Sequence, residues 1–109
     1  MKQDLEVKIR VREILKIVQQ VAPGNSVELR IPPYAAIQCV PGSVHRRGTP
    51  PNVVEMSGQT LIELVGSPTH WDEFCHAGRI LASGTNANLK DLFTQVSKLD
   101  QVQSKGCNG

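Results

Sequence analysis

The sequence predicts an α+β fold, a mixed and curved β-sheet with helices packed on one face. Three observations carry this prediction. A long stretch near the start keeps an amphipathic 3.6-residue period, short strand-like segments bounded by Pro and Gly turns follow it, and the second half repeats a helix-opening signature around one further strand.

The first element is a helix from about Asp4 to Val21. Val7, Val11, Ile14, Leu15, Ile17, Val18, Val21 and Ala22 fall on one side of it, and Lys8, Arg12, Glu13, Lys16, Gln19 and Gln20 on the other. Leu5, Val7, Ile9 and Val11 also alternate with charged residues as a strand would, but the later periodicity is stronger and Pro23-Gly24 supplies the stop. The stripe Lys8, Arg12, Lys16 offers itself to an anionic partner or to solvent.

Ser26 to Ile31 alternates polar and apolar residues and reads as a strand with one wet face. Pro32-Pro33 breaks it, Tyr34 to Val40 forms a second strand, and Pro41-Gly42 ends that one. Asn52 to Met56 is a third strand, with Val53 and Met56, or Val54, directed inward.

Three helix starts follow. Thr60-x-x-Glu63 reads as a capping box ahead of Leu61, Ile62, Leu64 and Val65, closed by Gly66 and Pro68. Thr69-x-x-Asp72 opens a helix whose face carries Trp71, Phe74 and Cys75 and which Gly78 ends. Asn88-x-x-Asp91 leads Leu89, Leu92, Phe93 and Val96. Arg79 to Gly84 is a short strand between the last two, and the polar end of the chain is expected to fray.

A chain of 109 residues makes one domain that needs no staple. A net charge of +2 and 4% aromatic residues argue against nucleic acid, which calls for a clustered basic face or stacking platforms. Cys39, Cys75 and Cys107 are far apart and odd in number, which points to a reducing, cytoplasmic setting. No signal peptide opens the chain and no apolar run is long enough to span a membrane.

The segment between the second and third strands concentrates chemistry. His45, Arg46 and Arg47 precede Gly48-Thr49-Pro50-Pro51, a stiff connector without backbone donors at its prolines. Held there, Arg46 and Arg47 can grip a carboxylate or phosphate head group at two points, or pair with Glu55 or Glu28 and close the loop. Catalysis is a weaker reading, although Thr49, Glu55 and Ser57 stand near His45 in sequence. There is no nucleophile elbow, P-loop or dinucleotide fingerprint, and His70 and His76, six positions apart, face different ways. No enzyme, cofactor or metal site is expected.

Pro23-Gly24, Ser26 to Pro33, Ala36 to Cys39 and above all Arg47-Gly48-Thr49-Pro50-Pro51-Asn52-Val53-Val54-Glu55 resemble the bacterial orthologue branch of the sterol carrier protein superfamily. Trp71 to Gly84 and the helix after it resemble the ending of that fold. The resemblance runs from about Val7 to Val96, so residues 1–96 form a sterol-carrier-like domain and 97–109 a polar tail. It implies an apolar tunnel between sheet and helices that takes up fatty acids, acyl-CoA or sterols in some relatives. The chain departs from the branch at Asn86 and Asn88, where an arginine and an aspartate are common, and beyond Val96, where few apolar residues remain to close a tunnel.

The expected function is non-catalytic binding of an apolar or amphipathic ligand such as a fatty acid, acyl-CoA or sterol-like lipid. Leu61, Leu64, Val65, Trp71, Phe74, Ile80, Leu92 and Phe93 would line the site, and His45, Arg46, Arg47 and Thr49 would meet its head group. The alternative is a structural or protein-interaction module in which the same apolar residues fill the core.

Overall fold

The first helix, α1, runs Lys2–Val21 and is followed by β1 (Val27–Ile31), β2 (Ala35–Cys39), β3 (Asn52–Met56), α2 (Gly58–Gly66), a 3₁₀ turn (Pro68–His70), α3 (Trp71–His76), β4 (Ile80–Ser83) and α4 (Lys90–Asn108). The computed structural model describes the backbone of residues 2–42 and 52–108 and the side chains of 4–42 and 52–102. His45, Arg46, Arg47 and Thr49 therefore lie outside the described residues.

The four strands form one sheet in the order β2-β1-β3-β4. β1 pairs antiparallel with β2 and parallel with β3, and β3 pairs antiparallel with β4. Alternation decides the two faces. Val27, Leu29, Ile31, Val54 and Met56 are buried under the helices, while Glu28, Arg30 and Glu55 stand on the uncovered face. Val53 is on that outer side as well, so of the inward assignments for the third strand Val54 and Met56 hold and Val53 does not.

Helix α1 lays Val11, Ile14, Leu15 and Val18 into the core and packs against α2, α4 and β2. Its end is fixed by a close approach. Gly24 has φ +150°, and a Cβ there would stand 2.3 Å from the Val40 carbonyl oxygen. Val40 itself has φ +67°, a costly conformation for a β-branched residue. Three hydrogen bonds hold it: its N–H donates to Ala22 O at 2.7 Å, and its carbonyl accepts from Ser26 N at 3.1 Å and Ser26 Oγ at 2.7 Å. This network ends β2 one residue before Val40 and takes Ser26 out of β1, so both strands are shorter than the alternation suggests.

Two helix starts differ from the sequence reading. Ser57, not Thr60, caps α2, because Ser57 is extended (φ −72°, ψ 163°) and its Oγ accepts from Thr60 N at 3.1 Å. Thr69 caps nothing, since Pro68 already opens a 3₁₀ turn and α3 begins only at Trp71. The stop of α3 follows the expectation. Gly78 has φ +76°, with Gly78 N donating to Cys75 O at 3.1 Å and Arg79 N to Phe74 O at 2.9 Å, a Schellman closure. Asn88 Oδ1 accepts from Lys90 N at 3.0 Å and caps α4. That helix continues past Val96: Ser97 is buried and Asp100 meets Arg10 of α1.

Candidate functional site

Between α1 and the outermost strand, β2, lies an open groove of about 570 Å³. Buried Leu15 and half-buried Ala35 and Ile37 form its apolar floor, and exposed Ile9 stands at its upper end. Arg12 and Lys16, one helical turn apart, rise along its rim with their cationic heads exposed. No described residue forms an ion pair or hydrogen bond with either of them. The acid on the same rim, Glu13, lies 3.6 Å from Arg10, so the groove's charge is net positive. Gln19 reaches across it and donates from Nε2 to the Gln38 carbonyl at 3.5 Å.

A second depression, about 480 Å³, opens where the sheet ends and α4 begins. Val21, Ala22, Val40, Leu89 and Leu92 supply apolar walls, and Thr85, Asn86, Asn88 and Gln95 supply hydroxyl and amide groups. Strained Val40 is thus part of its wall. The deeper anchor of this end is Asn52, fully covered, whose Nδ2 donates to Ser26 O and whose Oδ1 accepts from Asn86 N, both at 2.9 Å.

The apolar residues expected to line a tunnel belong to the buried core. Leu61, Leu64 and Phe93 have no accessible surface, and Val65, Trp71, Phe74 and Ile80 have 4% or less. A side chain with no accessible surface adjoins no space able to hold even a water molecule, so Leu61, Leu64 and Phe93 border no void. Trp71 stacks on Phe93 with ring centroids 6.1 Å apart. Leu92 at 9% exposure reaches the edge of the sheet-end depression, and Ile80 borders a shallow hollow beside β4 on the outer face.

Of the residues weighed for catalysis, Glu55 and Ser57 are among the described ones, and both are occupied elsewhere. Ser57 caps a helix, and Glu55 and Glu28 both serve Arg30 on the outer face. His70 packs on the Phe74 ring at 5.6 Å. Arg79, from the turn before β4, lies 4.2 Å from the centre of the Phe74 ring, and donates to Thr60 Oγ1 at 3.2 Å and to Glu63 Oε2 at 2.9 Å. That bond, with one from Gln59, holds the Glu63 carboxyl below its ordinary range. Burial pushes the Cys39 thiol up to about 11. Among the described residues no group of three His, Cys, Asp or Glu side chains is placed to hold a metal ion, and no helix is long and apolar enough to cross a membrane.

A family model described as bacterial SCP ortholog matches residues 3–94. The chain belongs to that family. The match takes in every strand, α1 to α3 and the first turn of α4, and it agrees with the α+β architecture. Among curated proteins nothing matches the SCP orthologue chain.

The groove's rim was half visible in the sequence as the Lys8, Arg12, Lys16 stripe. Its floor was not, because nothing in the spacing says that β2 is an edge strand lying beside that helix face.

Proposed function

We propose that this SCP orthologue is a non-catalytic interaction module with a filled core, engaging its partner on its surface. The observation that carries this reading is the complete burial of Leu61, Leu64 and Phe93. An enclosed ligand would need several hundred cubic ångströms at these residues. Truncation tests the packing directly. In a filled interior Leu64→Ala removes contacts on all sides and costs about 2–5 kcal/mol in denaturant unfolding, whereas a side chain bordering a tunnel loses far less. Native mass spectrometry of protein purified from its own host completes the test. The bare chain mass is expected, and a copurified lipid would overturn the reading.

A second reading, non-catalytic binding of a fatty acid, acyl-CoA or sterol-like lipid, is favoured by membership of the family and by the sheet-end depression with its apolar walls and amide rim. In that reading His45, Arg46, Arg47 and Thr49 are the head-group contacts, on the strength of their residue types alone. Replacing Arg46 and Arg47 with Ala would then weaken acyl-CoA binding in calorimetry by about tenfold or more. We assign the protein to the cytoplasm, where Cys39 and Cys75, both free, remain thiols.

A further inference from the structure

We propose that the groove between α1 and β2 receives an extended, acidic segment of a partner protein, which pairs its backbone with the free edge of β2 and sets its carboxylates against Arg12 and Lys16. The proposal rests on the surface-binding reading above and names the kind of partner.

Among the described residues β2 is outermost in the sheet, bonded to β1 along one side only. Which of its backbone groups face outward follows from Gln19, whose side chain reaches the Gln38 carbonyl from the α1 side. Alternate residues of a strand point the same way, so the N–H and C=O of Ala36 face outward with those of Gln38. At 3.5 Å the Gln19 contact is at the outer limit of a hydrogen bond and is readily displaced. Edge strands are commonly shielded by a charged side chain, a proline or a bulge. β2 reads Ala35-Ala36-Ile37-Gln38-Cys39 and has no charge or proline, and its register with β1 runs unbroken.

The walls select what can add there. An incoming strand would lie about 4.8 Å from β2, beneath α1, with every second side chain resting on Leu15 and Ile37. Those positions favour small or branched apolar residues. Arg12 and Lys16 stand on the same α1 side without partners among the described residues, which favours acids at the ends of that same row of α1-facing side chains, beyond the apolar ones. A second copy of this chain is the wrong occupant, because edge-to-edge pairing would bring the Arg12 and Lys16 of both copies to one seam. A single acyl chain would cover the floor but leave the outward groups of Ala36 and Gln38 unpaired.

The test is fluorescence anisotropy of a labelled short valine-glutamate peptide whose every second residue reads glutamate, valine, valine, glutamate, with threonine at the positions between, titrated with the full chain at low salt. Saturable binding is expected, with no binding of the valine-lysine counterpart. The double variant Arg12→Glu, Lys16→Glu should bind about tenfold more weakly or worse, with an unchanged circular dichroism spectrum. Amide exchange at Ala36 and Gln38 should slow when the valine-glutamate peptide is bound. Failure of that peptide to bind, equal binding of the lysine peptide, or binding without protection at Ala36 and Gln38 would each overturn the proposal. None of these results touches the filled core, which Leu64→Ala and the native mass probe separately.

Discussion

Arg10 of α1 and Asp100 of α4 meet in a two-point ion pair, Nη1 to Oδ1 at 2.9 Å and Nη2 to Oδ2 at 2.7 Å. It bolts the two outer helices together across almost the whole length of the sequence. The two partners are not equally covered, with 15% of the Asp100 side chain exposed against 33% of Arg10, which also has Glu13 nearby. Losing Arg10 therefore strands the more buried charge. Arg10→Ala is expected to cost about 2 kcal/mol and Asp100→Ala about 1 kcal/mol in urea unfolding, with a coupling energy recovered in the double mutant.

Asn52 satisfies the chain on both sides of itself, and no shorter or apolar residue can do so. Asn52→Ala leaves the Ser26 carbonyl and the Asn86 amide without their partner and should cost about 2–3 kcal/mol by chemical denaturation. The neighbouring Gly84→Ala should be comparably damaging. Its φ is +115° and a Cβ would lie 2.2 Å from Asn52 Oδ1.

Glu63 makes stability depend on pH in a definite direction. Its folded pKa is depressed by the Arg79 hydrogen bond, so its contribution is present above the ordinary glutamate pKa of about 4.3 and is lost as pH falls through the folded value. Glu63→Gln should therefore lie below the parent in melting temperature at pH 7. The gap should close as the pH is taken down through that range.

Cys39 is expected to resist alkylation. Its thiol is buried and pushed up to about 11, so almost none is thiolate at pH 8. Iodoacetamide followed by peptide mass analysis should label Cys39 only after denaturation. Cys75 is half-buried, its thiol raised first by burial and then by Asp72, and should react slowly in the native protein.

Elements with a strong repeating pattern were legible in the sequence. α1 shows its period over five turns, and β3 falls at Asn52–Met56 as read. The beginnings of α2 and α3 were not, because Ser57, Thr60 and Thr69 are all competent caps and only backbone geometry chooses among them. The core was legible too, but its meaning was not. Leu61, Leu64, Val65, Trp71, Phe74 and Phe93 read equally well as tunnel lining or as filling, since apolar pattern reports burial and says nothing about voids. The α1–β2 groove escaped for another reason: it depends on strand order, which residue spacing does not encode.

The bare side of the sheet has a bearing on how the molecule behaves when concentrated. Glu28, Arg30 and Glu55 share its middle, with Arg30 bonded to Glu28 and 4.0 Å from Glu55. Laying two such surfaces together would strip hydration from three ionic groups per molecule for little oily area gained, so face-to-face stacking is discouraged at the centre. Among the described residues this face turns greasy only toward β4, where Leu81 is 59% exposed. Colloidal attraction between molecules should therefore be weak in dilute buffer, with that one margin as its starting point.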